Sequence, residues 1–207
     1  MSNHSSQVLL DCTFRDGGYY CAWDFTPSLI DEYLLAMKAA QVDVVELGFR
    51  FLKNEVYKGA CAYTTDSFLE SLTIPSGLKV AVMLNGADLC TDIGCFEALE
   101  RLFPRPAVNS PVDLVRLACH FHELPKALPA AAWLHERGYR VGFNLMQIAD
   151  RSRQEVRELT AMASDWPIDV LYFADSMGSM TPDDTARMVG WLRMGWQNDL
   201  GIHTHDN

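Results

Sequence analysis

Several features are missing from this sequence, and each absence excludes something. No apolar run approaches the roughly 20 residues a transmembrane helix needs, and the stretch Met1 to Gln7 is polar, without the apolar centre of a secretory signal. The expected compartment is therefore cytoplasmic. No pair of its six cysteines forms a CxxC, and their spacing makes no disulfide or zinc framework. Reduced, mostly buried thiols are expected instead. Basic residues are short relative to acids: 17 Lys and Arg face 27 Asp and Glu, a net charge of −10. That balance argues against nucleic acid or an anionic membrane as the main partner, though a local cation still allows an anionic substrate. There is no GxGxxG after the first apolar run, so a dinucleotide-binding open sheet loses its usual signature. No linker, repeat or low-complexity stretch interrupts the chain, and residues 1–207 read as one domain.

What remains is an alternation of short apolar runs with longer amphipathic ones. Strands are expected at Val8–Thr13, Asp43–Phe49, Leu78–Leu84, Val112–Cys119, Tyr139–Leu145, Ile168–Ala174 and Gly201–His205. Their starts fall roughly 30–35 residues apart, which suits βα units in a parallel sheet. Leu78-Lys79-Val80-Ala81-Val82-Met83-Leu84 is nearly all apolar, as in a strand covered on both faces. Helix starts are written at Thr26-Pro27, at Ser152 with Glu155 three residues on, and at Thr181-Pro182-Asp183-Asp184. Gly138 stands where a helix beginning near His122 ends, and a further helix is expected within Ala60–Leu72. Seven strands and six helices result. The fold class is α/β, a (β/α)8 barrel that needs about 250 residues; helix seven, strand eight and helix eight are missing from the count. Without strand eight, the first and seventh strands are expected to expose unpaired edges and limit solubility.

Barrel active sites lie at the C-terminal strand ends. In this chain those ends carry Arg15 and Asp16, Glu46 and Arg50, Asn85, His120, Asn144 and Gln147, Asp175 and Ser176, and His203 and His205. Side chains two apart on a strand face the same way, so His203 and His205 present two imidazoles to one point. Asp16 completes a three-ligand metal site if the fold brings the first and last strands together. Two imidazoles and one carboxylate suit Mn²⁺, Co²⁺, Zn²⁺ or Fe²⁺, and Mg²⁺ less well on softness. The remaining positions have plainer readings. Trp23 and Phe25 are expected to pack beneath the signature, His120 and His122 to be solvated loop residues, and Asp183 and Asp184 to be helix-start charges. Glu46 is expected to tune the metal or Arg15 more than to act as a base. Asp175 reads equally well as a group binding water near the metal or as a cap of the next helix.

Four segments carry a resemblance. Asp11-Cys12-Thr13-Phe14-Arg15-Asp16-Gly17 is similar to the D-x-T-L-R-D-G signature of the DRE-TIM metallolyase superfamily. Val45-Glu46-Leu47-Gly48, Ala174-Asp175-Ser176-Met177-Gly178 through Pro182, and Gly201-Ile202-His203-Thr204-His205-Asp206-Asn207 resemble its strand-two, strand-six and strand-seven segments in the same order. The flavour is that of the 4-hydroxy-2-oxovalerate aldolase-like proteins. The resemblance implies a divalent metal, Mn²⁺ first, held by Asp16, His203 and His205. It also implies a 2-oxo acid substrate met by Arg15, Asn144, Asp175 and Ser176, with Arg15, Tyr19 and Glu46 as catalytic groups. The reaction it implies is cleavage of a 4-hydroxy-2-oxo acid to pyruvate and an aldehyde through an enolate. A homo-oligomer or a partner dehydrogenase is implied as a protein partner. Alternatives are an acyl-CoA-dependent Claisen synthase, a hydroxymethylglutaryl-CoA lyase-like enzyme and a non-catalytic barrel scaffold. The chain departs from the aldolase pattern at Tyr19, where those proteins carry a histidine; a phenol, with a reference pKa near 10, is a poor base without strong lowering.

Overall fold

The computed structural model describes residues 7–52 and 56–205. Seven parallel strands form one sheet in the order of the sequence: β1 Leu10–Asp11, β2 Val44–Phe49, β3 Lys79–Asn85, β4 Leu114–Cys119, β5 Arg140–Leu145, β6 Val170–Ala174 and β7 Asp199–His203. All six pairings are parallel. The sheet curls until His203 at the end of β7 lies against Asp16 just past β1, with 3.5 Å between His203 Nε2 and Asp16 Oδ2. This is the curved α/β sheet of a (β/α)8 barrel, seven strands of it.

The apolar runs became strands for the reason their composition suggests. Every residue of β2 and β4 is buried. One face packs on the outer helices and the other turns to the interior, where Val44, Ala81 and Leu114 form a layer near the N-terminal ends. Above that layer the interior becomes polar: Glu46, Arg116 and Asn144 are all buried. Tyr172 of β6 fills the space beside them. A Cβ on Gly142 would stand 2.9 Å, and one on Gly201 2.3 Å, from its ring, so both flanking strands must present glycine there.

The helices are α1 Thr13–Gly17, α2 Pro27–Ala39, α3 Asp66–Glu70, α4 Cys95–Leu102, α5 Leu124–Ala127, α6 Pro129–Glu136, α7 Arg153–Ser164 and α8 Pro182–Leu192. The caps read from sequence form as expected. Thr26 accepts from Leu29 N at 3.3 Å, and Ser152 with Glu155 and Thr181 with Asp184 make reciprocal capping boxes. Gly138 ends α6 with φ +85°.

Eight α-helices stand among the described residues where six are expected, because the signature adds α1 and the single helix expected from near His122 to Gly138 is split into α5 and α6 at Leu128. Two strand expectations also need correction. The first strand does not run to Thr13: it stops at Asp11, and the signature continues as the single helical turn α1. Its cause is local, since Asp16 N donates to the Cys12 carbonyl at 2.9 Å and Asp11 Oδ1 accepts from Thr13 N at 2.9 Å. Likewise β7 begins two residues earlier than expected, at Asp199, and ends at His203, leaving His205 beyond the strand.

Candidate active site

From just past β1, through the middle of β2 and β4, to Asn144 near the end of β5, a row of buried polar and charged groups crosses the interior. Arg15, 7% exposed, donates through Nε to Glu46 Oε1 at 2.8 Å and through a second nitrogen to Asp16 Oδ1. Glu46, wholly buried, accepts on its other oxygen from Arg116 at 3.0 Å, and Arg116 reaches Asn144 Oδ1 at 3.2 Å. The Arg116 guanidinium also lies 4.2 Å from the Tyr172 ring centroid. Burial alone would push the Glu46 carboxyl up; Arg116 and Arg15 outweigh it and hold it below the ordinary value. Burial works against the Arg15 charge, but Glu46 and Asp16 raise its pKa nonetheless. Among the described residues, Arg15 Nη2 and Arg116 Nε are buried without a hydrogen-bond partner, which leaves each arginine a spare donor.

Arg15 is also fixed from below. Trp23 Nε1 donates to its carbonyl at 2.9 Å, and the indole lies where a Cβ on Gly18 would sit 1.9 Å from the ring. Trp23 therefore packs beneath the signature, as expected. Phe25 does so too, stacked 4.3 Å from Phe14, whose other face meets Tyr33 at 4.0 Å. A register shift between Glu46 and Gly48 in the β2–β3 pairing lets Phe49 turn to the same side as Arg15, with 5.7 Å between guanidinium and ring centroid.

Asp16 and His203 meet at the seam between β1 and β7, with Cys12 as a third group. Cys12 Sγ lies 3.3 Å from Asp16 Oδ2 and 3.7 Å from His203 Nδ1. Burial, then Arg15 and Arg116, hold the His203 imidazole down to about 4, so it is neutral near pH 7. Burial pushes the Cys12 thiol up to about 12. His205 stands apart from this cluster, exposed, with its ring 4.7 Å from that of His203 and edge-on to it. Its Nδ1–H donates to the Asp175 carbonyl at 2.7 Å, which leaves Nε2 as the lone-pair nitrogen. Asp206 and Asn207 of the strand-seven segment lie outside the described residues. An anionic oxygen, a neutral imidazole nitrogen and a thiol, all within 4.8 Å of one another, form a donor set that fits a divalent cation.

The other predicted positions divide. Asn144 is buried beside Arg116. Both oxygens of Asp175 accept backbone N–H groups, from Ser179 and Met180 at 2.9 Å each, so the side chain organises the turn into α8. Ser176 Oγ accepts from Gln147 N at 3.0 Å. Tyr19 is 63% exposed, with its ring edge-on to Trp23 at 4.8 Å; burial raises its pKa despite the pull of Arg15. Arg50 leaves the site altogether. It is buried against Asp66, the Leu102 carbonyl and the Phe103 ring, tying β2 to α3 and α4. His120 and His122 stack 5.8 Å apart in the loop after β4. Sequence reasoning passed over Arg116 and Cys12. The signal for Arg116 was present, as a charge amid Leu114-Val115-Leu117-Ala118 demands a buried partner.

Seven parallel strands with a carboxylate, an imidazole and a clamped arginine gathered at their C-terminal ends define an α/β barrel architecture with a candidate metal-and-arginine site. No protein-family model matches the chain. The curated relatives include 4-hydroxy-2-oxovalerate aldolase of Pelotomaculum thermopropionicum, 27% identical over 96% of this chain and 57% of its own length. 4-Hydroxy-2-oxovalerate aldolase 2 of Rhodococcus jostii is 26% identical over 97% and 56%. The chain thus spans less than three-fifths of these relatives. Among solved structures, the N-terminal domain of a candidate aldolase from Bacteroides vulgatus superposes with a TM-score of 0.86 at 32% identity, over 97% of this chain and 65% of that one. Bacillus subtilis hydroxymethylglutaryl-CoA lyase shares the fold, with a TM-score of 0.71 at 12% identity over 97% and 69%. The DRE-TIM resemblance, in its 4-hydroxy-2-oxovalerate aldolase-like form, is borne out.

Proposed function

We propose that residues 1–207 form the barrel portion of a divalent-metal-dependent carbon–carbon lyase that cleaves a 4-hydroxy-2-oxo acid to pyruvate and an aldehyde. The observation that carries this reading is the placement of Asp16 and His203 beside a buried arginine that keeps one donor unspent. Similarity to 4-hydroxy-2-oxovalerate aldolases supports the substrate class. Asp16 and His203 would hold the metal, with His205 joining them through Nε2; Mn²⁺ is the first candidate, and Mg²⁺, Co²⁺ and Zn²⁺ are the others. When bound, the ion supplies Lewis-acid polarisation of the 2-oxo group.

The chain's own residues do the rest. Cleaving the C3–C4 bond places negative charge on the former keto oxygen, and Arg15, held rigid by Glu46 and Trp23, offers its free nitrogen to that charge. Because the guanidinium is already fixed, little reorganisation accompanies the reaction. Arg116 and Asn144 extend the polar floor toward the substrate carboxylate. Glu46 is engaged by two arginines and Asp175 by two backbone amides, so each serves as a positioning residue, and the C4 hydroxyl proton passes to solvent water as the aldehyde forms. Tyr19, with its pKa raised, keeps its proton near neutral pH, and its ring packs edge-on against Trp23.

The test is pyruvate release from 4-hydroxy-2-oxo acids, coupled to lactate dehydrogenase, using protein stripped with a chelator and then resupplied with Mn²⁺. Activity that depends on the ion and falls about 10²–10³-fold in Arg15→Ala is expected. Chelator-insensitive turnover, or no divalent-ion binding by calorimetry, would overturn the reading.

A further inference from the structure

The metal reading above uses Asp16 and the histidines and leaves one group at the same point without a task. Cys12 sits between β1 and α1, and the turn that closes α1, Asp16 N to the Cys12 carbonyl at 2.9 Å, places residues 12 and 16 on one face. Its sulfur does not enter the apolar core. Its partners are Asp16 Oδ2 at 3.3 Å and His203 Nδ1 at 3.7 Å. Two donors bound to one ion at about 2.0–2.3 Å lie roughly 3–4 Å apart. The separations from Cys12 Sγ to Asp16 Oδ2 and to His203 Nδ1 fall in that range, and one ligand atom from each of the three residues lies within 4.8 Å of the others. The other cysteines are distributed differently: Cys61 and Cys119 are buried, and none of the other five joins a group of this kind among the described residues.

We propose that Cys12 is a metal ligand, so that the centre of this chain contains sulfur and takes a thiophilic divalent ion, Zn²⁺ or Co²⁺, in preference to Mg²⁺ or Mn²⁺. This rests on the metal site proposed above and changes its ion preference. On binding, the Cys12 S–H bond breaks, a sulfur–metal bond forms and the proton leaves to buffer; no redox partner takes part. A thiolate is a soft donor and favours Zn²⁺ and Co²⁺ over oxygen-seeking ions.

The experiment is titration of the intact chain with Co²⁺, followed by near-ultraviolet absorption and by calorimetry. A sulfur-to-cobalt charge-transfer band growing to one equivalent is expected. It should be absent in Cys12→Ser, whose Zn²⁺ affinity should fall about tenfold or more while its Mg²⁺ affinity stays within about twofold. Should the variant misfold, protection of Cys12 from iodoacetamide by Zn²⁺, mapped by mass spectrometry on the unaltered chain, gives the same information. Co²⁺ binding without the band, or Cys12 alkylation unchanged by Zn²⁺, would overturn the sulfur ligand and leave the metal site standing. No Co²⁺ binding at all would overturn both.

Discussion

Replacing Glu46 by Gln is the sharpest test of how the buried charges are balanced. Glu46 is the carboxylate that joins Arg15 to Arg116, and its side chain is fully buried. Glutamine keeps the shape but can accept from only one arginine. Its amide nitrogen would face an arginine N–H, and the cluster would carry two guanidinium charges against Asp16 alone. Removing one partner from a buried ion pair costs about 3–5 kcal/mol, and the loss of charge-assisted bonds, at about 1.5–3 kcal/mol each, gives a similar sum. For a chain of this length one kcal/mol corresponds to roughly 2–4 °C, so Tm should fall by roughly 6–20 °C, read by circular dichroism. The pH dependence sharpens this. The folded Glu46 carboxyl lies below its unfolded value of 4.5, so its contribution is complete above that pH and is lost as pH falls further. The gap between the parent and Glu46→Gln should therefore be widest at neutral pH and narrow in acid. A variant melting within about 2 °C of the parent at pH 7, or a gap that widens on acidification, would refute the argument.

Other outcomes follow from the same geometry. Gly18→Ala must displace the Trp23 indole, which a Cβ would approach to 1.9 Å, so a loss of about 1–3 kcal/mol is expected in urea unfolding, with a shift in tryptophan emission. Ser152→Ala removes the cap of α7 and should cost about 1 kcal/mol by the same measurement. Asp184, bonded to Thr181 and Arg187 at the start of α8, is held down to about 2; its carboxyl resonance should titrate below the ordinary 3.8, and its stabilisation should vanish as pH drops through that interval. Tyr19→Phe should lower pyruvate release by less than about tenfold, whereas loss of a general base would cost about 10²–10⁴-fold.

The strands were legible because parallel strands covered on both faces need unbroken apolar runs, and Val112–Cys119 or Ile168–Ala174 has no other use for such composition. Thr26, Ser152 and Thr181 were legible because capping is settled within four residues. The site was legible in its membership more than in its shape. Arg15, Asp16 and His203 converge, but that depends on how far the sheet curls, which no local pattern encodes. The turn at Thr13–Gly17 overrode the alternation expected there because the side chain of Asp11 and the carbonyl of Cys12 capture nearby amides. His205 lies just past β7, which ends at His203, and its ring is tied through Nδ1 to the Asp175 carbonyl, a bond between segments that no local pattern encodes. Arg50 looked like a rim residue by position alone, and only the packing of α3 and α4 around it shows a structural tie.

The order of the sheet bears on how the molecule is made. Each strand pairs with its neighbour in sequence, across intervals such as the 34 residues from Leu9 to Asp43 or the 28 from Val141 to Asp169. These contacts close short loops and can accrete while the polypeptide emerges from the ribosome, one βα unit at a time. The contact between Cys12 and His203 spans 191 residues. Six strand pairings lie between the two groups, so the seam is expected to be the last contact of the sheet to form. Recovery of metal binding during refolding should therefore lag recovery of the helical circular dichroism signal.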